Sequence, residues 1–147
     1  MLQRLRQRMS SEEGFTLIEL LVVILIIGIL AAIAIPAFLS QTSKANDSAA
    51  KTQVGTLQTT METYAAENNG SFTGAELSKL QAIEPTLKDT STAAAQAVTV
   101  ETGGEGFTVE SIAKGSGDTY KLINKKGEIE RKCSPTGKGG CTASGTW

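Results

Sequence analysis

The sequence predicts an α+β chain, on three observations: an uncharged apolar run long enough to form a helix of membrane length, a polar continuation whose apolar residues keep helical spacing, and a C-terminal half in which the apolar period changes to two. The apolar run extends from Leu20 to Leu39. At about 1.5 Å per helical residue it reaches roughly 30 Å, the hydrocarbon thickness of a bilayer. In the continuation, Ala50, Val54, Leu57, Met61 and Tyr64 recur at spacings of four, three, four and three, so one helical face must be covered. Further on, Val98 and Val100, Phe107 and Val109, Tyr120 and Leu122, and then Ile129 mark strands.

Element by element, residues 1–14 are polar and basic and end in Glu12-Glu13-Gly14, which reads as a processing segment. From Thr16 to about Asn68 the only strong breaker is Pro36, so one long helix is expected, bent or loosened near Ile35 and Pro36, with Gly28 a second weak point. Asn68-Asn69-Gly70 supplies the left-handed stop of a helix end. Thr73-Gly74-Ala75-Glu76 fits a capping box ahead of Leu77, Leu80 and Ile83, predicting a short helix that ends before Pro85. The Ala-rich stretch Thr90 to Ala97 carries little information. Asn124-Lys125-Lys126-Gly127 predicts a hairpin, and Gly103-Gly104 and Gly115-Ser116-Gly117 two more connections. The result is a meander of three or four antiparallel strands whose apolar face and the helix stripe bury each other. The predicted division is a leader at 1–14, a transmembrane helix at 15–39, its amphipathic continuation at 40–69 and a globular head at 70–147.

Composition narrows the function classes. The 147 residues, 40% hydrophobic and 20% charged, allow one modest domain beside the membrane segment. The absence of histidine removes Ser-His-Asp and Cys-His catalysis and imidazole metal sites, so no enzyme and no cofactor are expected. Arg4, Arg6 and Arg8 precede the apolar run and predict a cytoplasmic N-terminus with everything after Leu39 outside. Cys133 and Cys141 then lie in an oxidising space and close a short loop whose Pro135 and three glycines can make the required turns. A disulfide is the expectation; free thiols or a shared metal are the alternatives. Tyr64, Phe107 and Tyr120 are expected in the core, as are Val54, Leu57 and Met61, while Trp147 either packs on the Cys-bridged loop or lies exposed.

Glu19 stands at the mouth of the apolar run. Leu, Ile, Val and Phe each favour insertion by about 0.3–0.6 kcal/mol, while an acid near the helix end costs at most about 3 kcal/mol. Insertion wins, and an acid retained where it is disfavoured reads as functional and in need of a partner, the alternative being an interfacial acid close enough to the helix end to reach water. With that acid and the apolar run behind it, Gly14-Phe15-Thr16-Leu17-Ile18-Glu19 resembles the class III signal of type IV pilins and of the pseudopilins of type II secretion. The resemblance implies a pilin-like fold. It also implies cleavage between Gly14 and Phe15 by a prepilin peptidase, N-methylation of Phe15, and an assembly role for Glu19. Further implications are self-polymerisation, an inner-membrane assembly platform with its ATPase, and storage in the inner membrane before export as a surface filament. Cleavage would free an ammonium at Phe15, and Glu19 of one subunit is expected to pair with it on a neighbour, fixing axial register. The resemblance also implies that in a filament the stretch from about Gly28 to Pro36 loses helical hydrogen bonds, a functional reading beside that of an ordinary kink.

Rival readings remain open at this level. Ala32-Ile33-Ala34 looks like an ordinary secretory cleavage site that would release a domain from near Ile35, yet it gives no use to Glu19. Within the family, the Cys133 to Cys141 loop resembles the C-terminal disulfide region of type IV pilins and favours a pilus. The main secretion pseudopilin commonly has a calcium site there, and Asp118 beside Ser116 and Gly117 falls far short of such a ligand set. Lys125, Lys126, Arg131 and Lys132 make the C-terminal end locally basic, able to meet DNA phosphates or the acidic surface of another subunit, or simply to be a solvated hairpin.

Overall fold

In the computed structural model, residues 14–91 and 93–147 are described; Arg4, Arg6 and Arg8 and the rest of the leader before Gly14 lie outside them. Helix α1 runs Leu17–Glu67, a short helix α2 runs Leu77–Ile83, and a 3-10 turn follows at Pro85–Lys88. Four strands complete the chain: β1 Ala93–Val100, β2 Gly106–Ala113, β3 Thr119–Lys125 and β4 Glu128–Ser134. They pair antiparallel in the order β1-β2-β3-β4, the simplest meander. The chain divides into two compact units at Leu39/Ser40, and α1 contributes to both.

In the first unit α1 is helical through Gly28 and Pro36. Pro36 removes only the bond its own N–H would make, and the ladder on either side continues past it. No residue of its most apolar 18-residue window is buried, and by length and composition that segment can cross a membrane.

In the second unit Ala50, Val54, Leu57, Met61 and Tyr64 are all buried, as their spacing predicts. They share a core with Phe107, Val109, Tyr120 and Leu122 from the two central strands and with Leu80 and Leu87 from the connection between helix and sheet. Phe72 meets Phe107 edge to face at 4.7 Å. Polar bonds from α1 fasten its neighbours: Gln53 donates to Asp89 O (2.9 Å) and accepts from Gln96 (2.9 Å) and Ser111 (3.2 Å), and Asn46 donates to Lys114 O (2.7 Å). The helix stops as its sequence predicts, with Asn69 at φ 55° and Gly70 N–H donating back to Ala65 O at 2.8 Å.

One local expectation is corrected, and two other positions gain detail. The capping box at Thr73–Glu76 does not form: Glu76 is the N-cap, in extended conformation and without a side-chain cap bond. Thr73 instead lies in a turn, where Phe72 N–H donates to Gly104 O at 3.0 Å. A Cβ on Gly104 would collide with Thr73 Oγ1, so this docking needs glycine there. The Ala-rich stretch is the first half of β1, because partners in β2 from Glu110 to Ala113 supply its ladder. Ile129, in β4 as expected, remains 42% exposed: it pairs with the buried Asn124, but β4 is an edge strand of the sheet.

Candidate functional site

Two regions carry the residues singled out from sequence. At the start of α1, Gly14 and Phe15 precede the helix and are exposed, Phe15 at 83%. Thr16 and Glu19 bond reciprocally: Thr16 N–H and Oγ1–H donate to Glu19 Oε2 at 2.9 and 2.6 Å, and Glu19 N–H donates to Thr16 Oγ1 at 3.3 Å. This is a capping box, satisfying N–H groups that a helix start leaves without partners. Its Thr-x-x-Glu signature is present in Thr16-Leu17-Ile18-Glu19, where the reading of Glu19 as an acid in need of an external partner passed over it. Both side-chain bonds fall on Oε2, so Oε1 is still available to a cation. In the uncut chain Phe15 N is a peptide nitrogen; only cleavage after Gly14 makes it an ammonium.

From Leu20 to Leu39 the surface of α1 is apolar all round. Leu20, Leu25, Ile29, Leu30, Ile33, Phe38 and Leu39 are each more than half exposed. A helix hydrophobic on every side belongs in a bilayer or inside a bundle of similar helices.

The second region is the C-terminal loop. Cys133 and Cys141 are disulfide-bonded. Lys51 of α1 donates to Gly140 O at 2.6 Å, and Gly140 N–H donates to the Tyr120 hydroxyl at 3.3 Å. Trp147 packs edge-on to Tyr120 at 5.9 Å, its Nε1–H reaching the Lys121 and Lys132 carbonyls at 3.3 and 3.1 Å, with Arg131 over its ring at 5.5 Å.

The basic residues near this loop are locally engaged. Lys126 pairs with Glu105 at 2.7 Å, Lys132 and Lys125 flank Glu130 at 2.9 and 3.8 Å, and Arg131 lies on Trp147. Hydrogen bonding to Lys126 and its charge hold Glu105 below the ordinary carboxylate range, and Lys132 with Lys125 does the same for Glu130. The hairpin between β3 and β4 turns at Lys126 and Gly127, both at positive φ (52° and 94°), as a two-residue loop requires. Among the described residues no group of three or more His, Cys, Asp or Glu side chains gathers as a metal site would need.

The family model described as the prokaryotic N-terminal methylation motif matches residues 9–35. A fimbrial protein of Pseudomonas aeruginosa is 36% identical over 136 residues, covering 87% of this chain and 88% of that one. The chain belongs to the type IV pilin family. Other pilin relatives match over a shorter span: the type IV major pilin protein PilA of Myxococcus xanthus is 48% identical over 56 residues, 38% of this chain and 26% of its own. The type II secretion system core protein G of Vibrio cholerae is 35% identical over 63 residues, 43% of each chain. No solved structure is matched.

Proposed function

We propose that this pilin is the structural subunit of a type IV pilus. It is made as an inner-membrane precursor with its N-terminus inside, cut between Gly14 and Phe15, N-methylated at Phe15 and polymerised through α1. The observation that carries this reading is the first half of α1, apolar on every side with no residue of its central window buried, continuous with a head that has its own closed core. Such a surface is covered by lipid in the precursor and by other copies of the same helix in the fibre. Glu19 of one subunit then receives the Phe15 ammonium of a neighbour on Oε1, a pairing that fixes register because slippage strands two charges in an apolar bundle. Loosening of α1 between Gly28 and Pro36 on packing is part of the same proposal.

A pilus is favoured over a secretion pseudopilus because the match to the fimbrial protein extends over 136 residues, whereas that to the secretion protein covers 63. Partners in assembly are further copies of the chain, the prepilin peptidase and methyltransferase, and the membrane platform with its ATPase. No catalytic step is assigned to the chain itself. For Lys125, Lys126, Arg131 and Lys132 a solvated hairpin is favoured over a DNA-binding face, since Glu105, Glu130 and Trp147 already engage them. Imaging sheared surface fractions with an antibody to residues 70–147 tests the proposal: long fibres carrying the label are expected, and their absence from cells that make the protein would contradict it.

A further inference from the structure

The neighbourhood of Gly139 holds two acids for which assembly has no use. Asp47 of α1 is 2% exposed and Asp118, between β2 and β3, 5% exposed. Asp47 Oδ1 accepts from Ser116 Oγ at 2.6 Å, while its Oδ2 is buried with no hydrogen-bond partner. A Cβ built on Gly139 would overlap Oδ2 of both Asp47 and Asp118, so the two carboxylates converge on one atom-sized space under the disulfide loop. A buried acceptor without a donor is costly, and two carboxylates side by side cannot both stay ionised cheaply.

Among the described residues, the charged or titratable groups beside the pair include Lys51 on α1, Tyr120 on β3 and Lys138 in the disulfide loop. Lys51 donates to Gly140 O at 2.6 Å rather than to Asp47, and Lys138 makes no ion pair with Asp118 within bonding distance. A divalent cation is a poor occupant, because calcium takes six to eight oxygens, no third acid joins the pair among the described residues, and two ammonium groups already stand nearby. A shared proton needs only one donor and one acceptor oxygen, and the Oδ2 atoms of both acids converge on the Cβ position of Gly139.

We propose that Asp118 carries a proton and donates it to Asp47 Oδ2, making an acid–carboxylate latch that seats Gly139 and the disulfide loop on α1, and that loss of this proton releases the loop. Burial first, then the Asp47 charge, pushes the Asp118 carboxyl above the ordinary aspartate range, and Lys138 offsets this in part. Burial and the same Asp47 charge likewise raise the Tyr120 hydroxyl, which holds Gly140. For a carboxyl whose folded pKa is raised, the added stability is complete below the unfolded pKa and is lost as pH rises through the folded one. The latch is therefore closed in acid and opens upward from the ordinary aspartate range.

The test uses the full-length chain in detergent micelles, with aspartate carboxyl carbons followed by NMR across pH and amide exchange read at Gly139, Gly140 and Cys141 after correction for its intrinsic pH dependence. Asp118 is expected to titrate above an ordinary aspartate, with protection at the three amides falling across the same interval. Asp118→Asn, which keeps a donor and cannot ionise, is expected to hold the acid-form protection at every pH. Asp47→Asn is expected to shift the Asp118 titration down. Titration of Asp118 at or below the ordinary range, the same pH course of protection in Asp118→Asn, or loop protection that depends on added calcium would each overturn the latch.

Discussion

Glu19 has two roles open to it, and they separate chemically. As a cap it needs only an acceptor for Thr16 N–H and Oγ1–H, which a glutamine also provides. As a register-fixing charge it needs ionisation. Glu19→Gln and Glu19→Val are therefore both expected to leave the chain in the membrane fraction and to abolish or strongly reduce surface fibres by electron microscopy, whereas a cap alone predicts normal fibres from Glu19→Gln. At this scale the sequence was legible where a residue's role depends on local pattern, as in the core stripe from Ala50 to Tyr64. It was not legible where a role depends on distant partners. Nothing in the neighbours of Asp47 announces that Asp118, in a turn between strands, will face it, and Trp147 could not be placed without knowing that the Lys121 and Lys132 carbonyls lie side by side.

Periodicity identified the buried stripe of the long helix and marked residues in each of the four strands, because burial on one face enforces a period, while turn residues identified the hairpin at Lys126-Gly127. It said little about Ala93–Ala97, where small residues on an edge strand bury little beyond Ala93 and the ladder with β2 decides the structure. The Thr73–Glu76 signature misled for a related reason, since tertiary docking of that turn on Gly104 outweighs a cap worth only about 1 kcal/mol. The disulfide loop was legible from its two cysteines and its turn residues. For a loop of about nine residues the chain-entropy estimate of its contribution is about 2.5 kcal/mol. Cys133→Ser combined with Cys141→Ser is accordingly expected to lower unfolding stability by about that amount in urea titrations of the detergent-solubilised protein, with α1 and its buried stripe retained by circular dichroism. Unchanged stability would show that Lys51, Tyr120 and Trp147 hold the loop without the bridge.

Across the whole molecule the same helix serves two environments. Its uncovered apolar half is stable only in lipid or among its own kind, and its second half is the spine of the head, so membrane storage and polymerisation are alternative ways of burying one surface. In the proposed account processing links them, since cleavage after Gly14 would create the ammonium that Glu19 of a neighbour is proposed to meet. The central claim is that assembly follows from that new N-terminus. Mass spectrometry of the N-terminal peptide from purified fibres tests it directly: the account predicts chains beginning at N-methyl-Phe15, and fibres built from chains that still carry the leader, or that begin near Ile35, would contradict it.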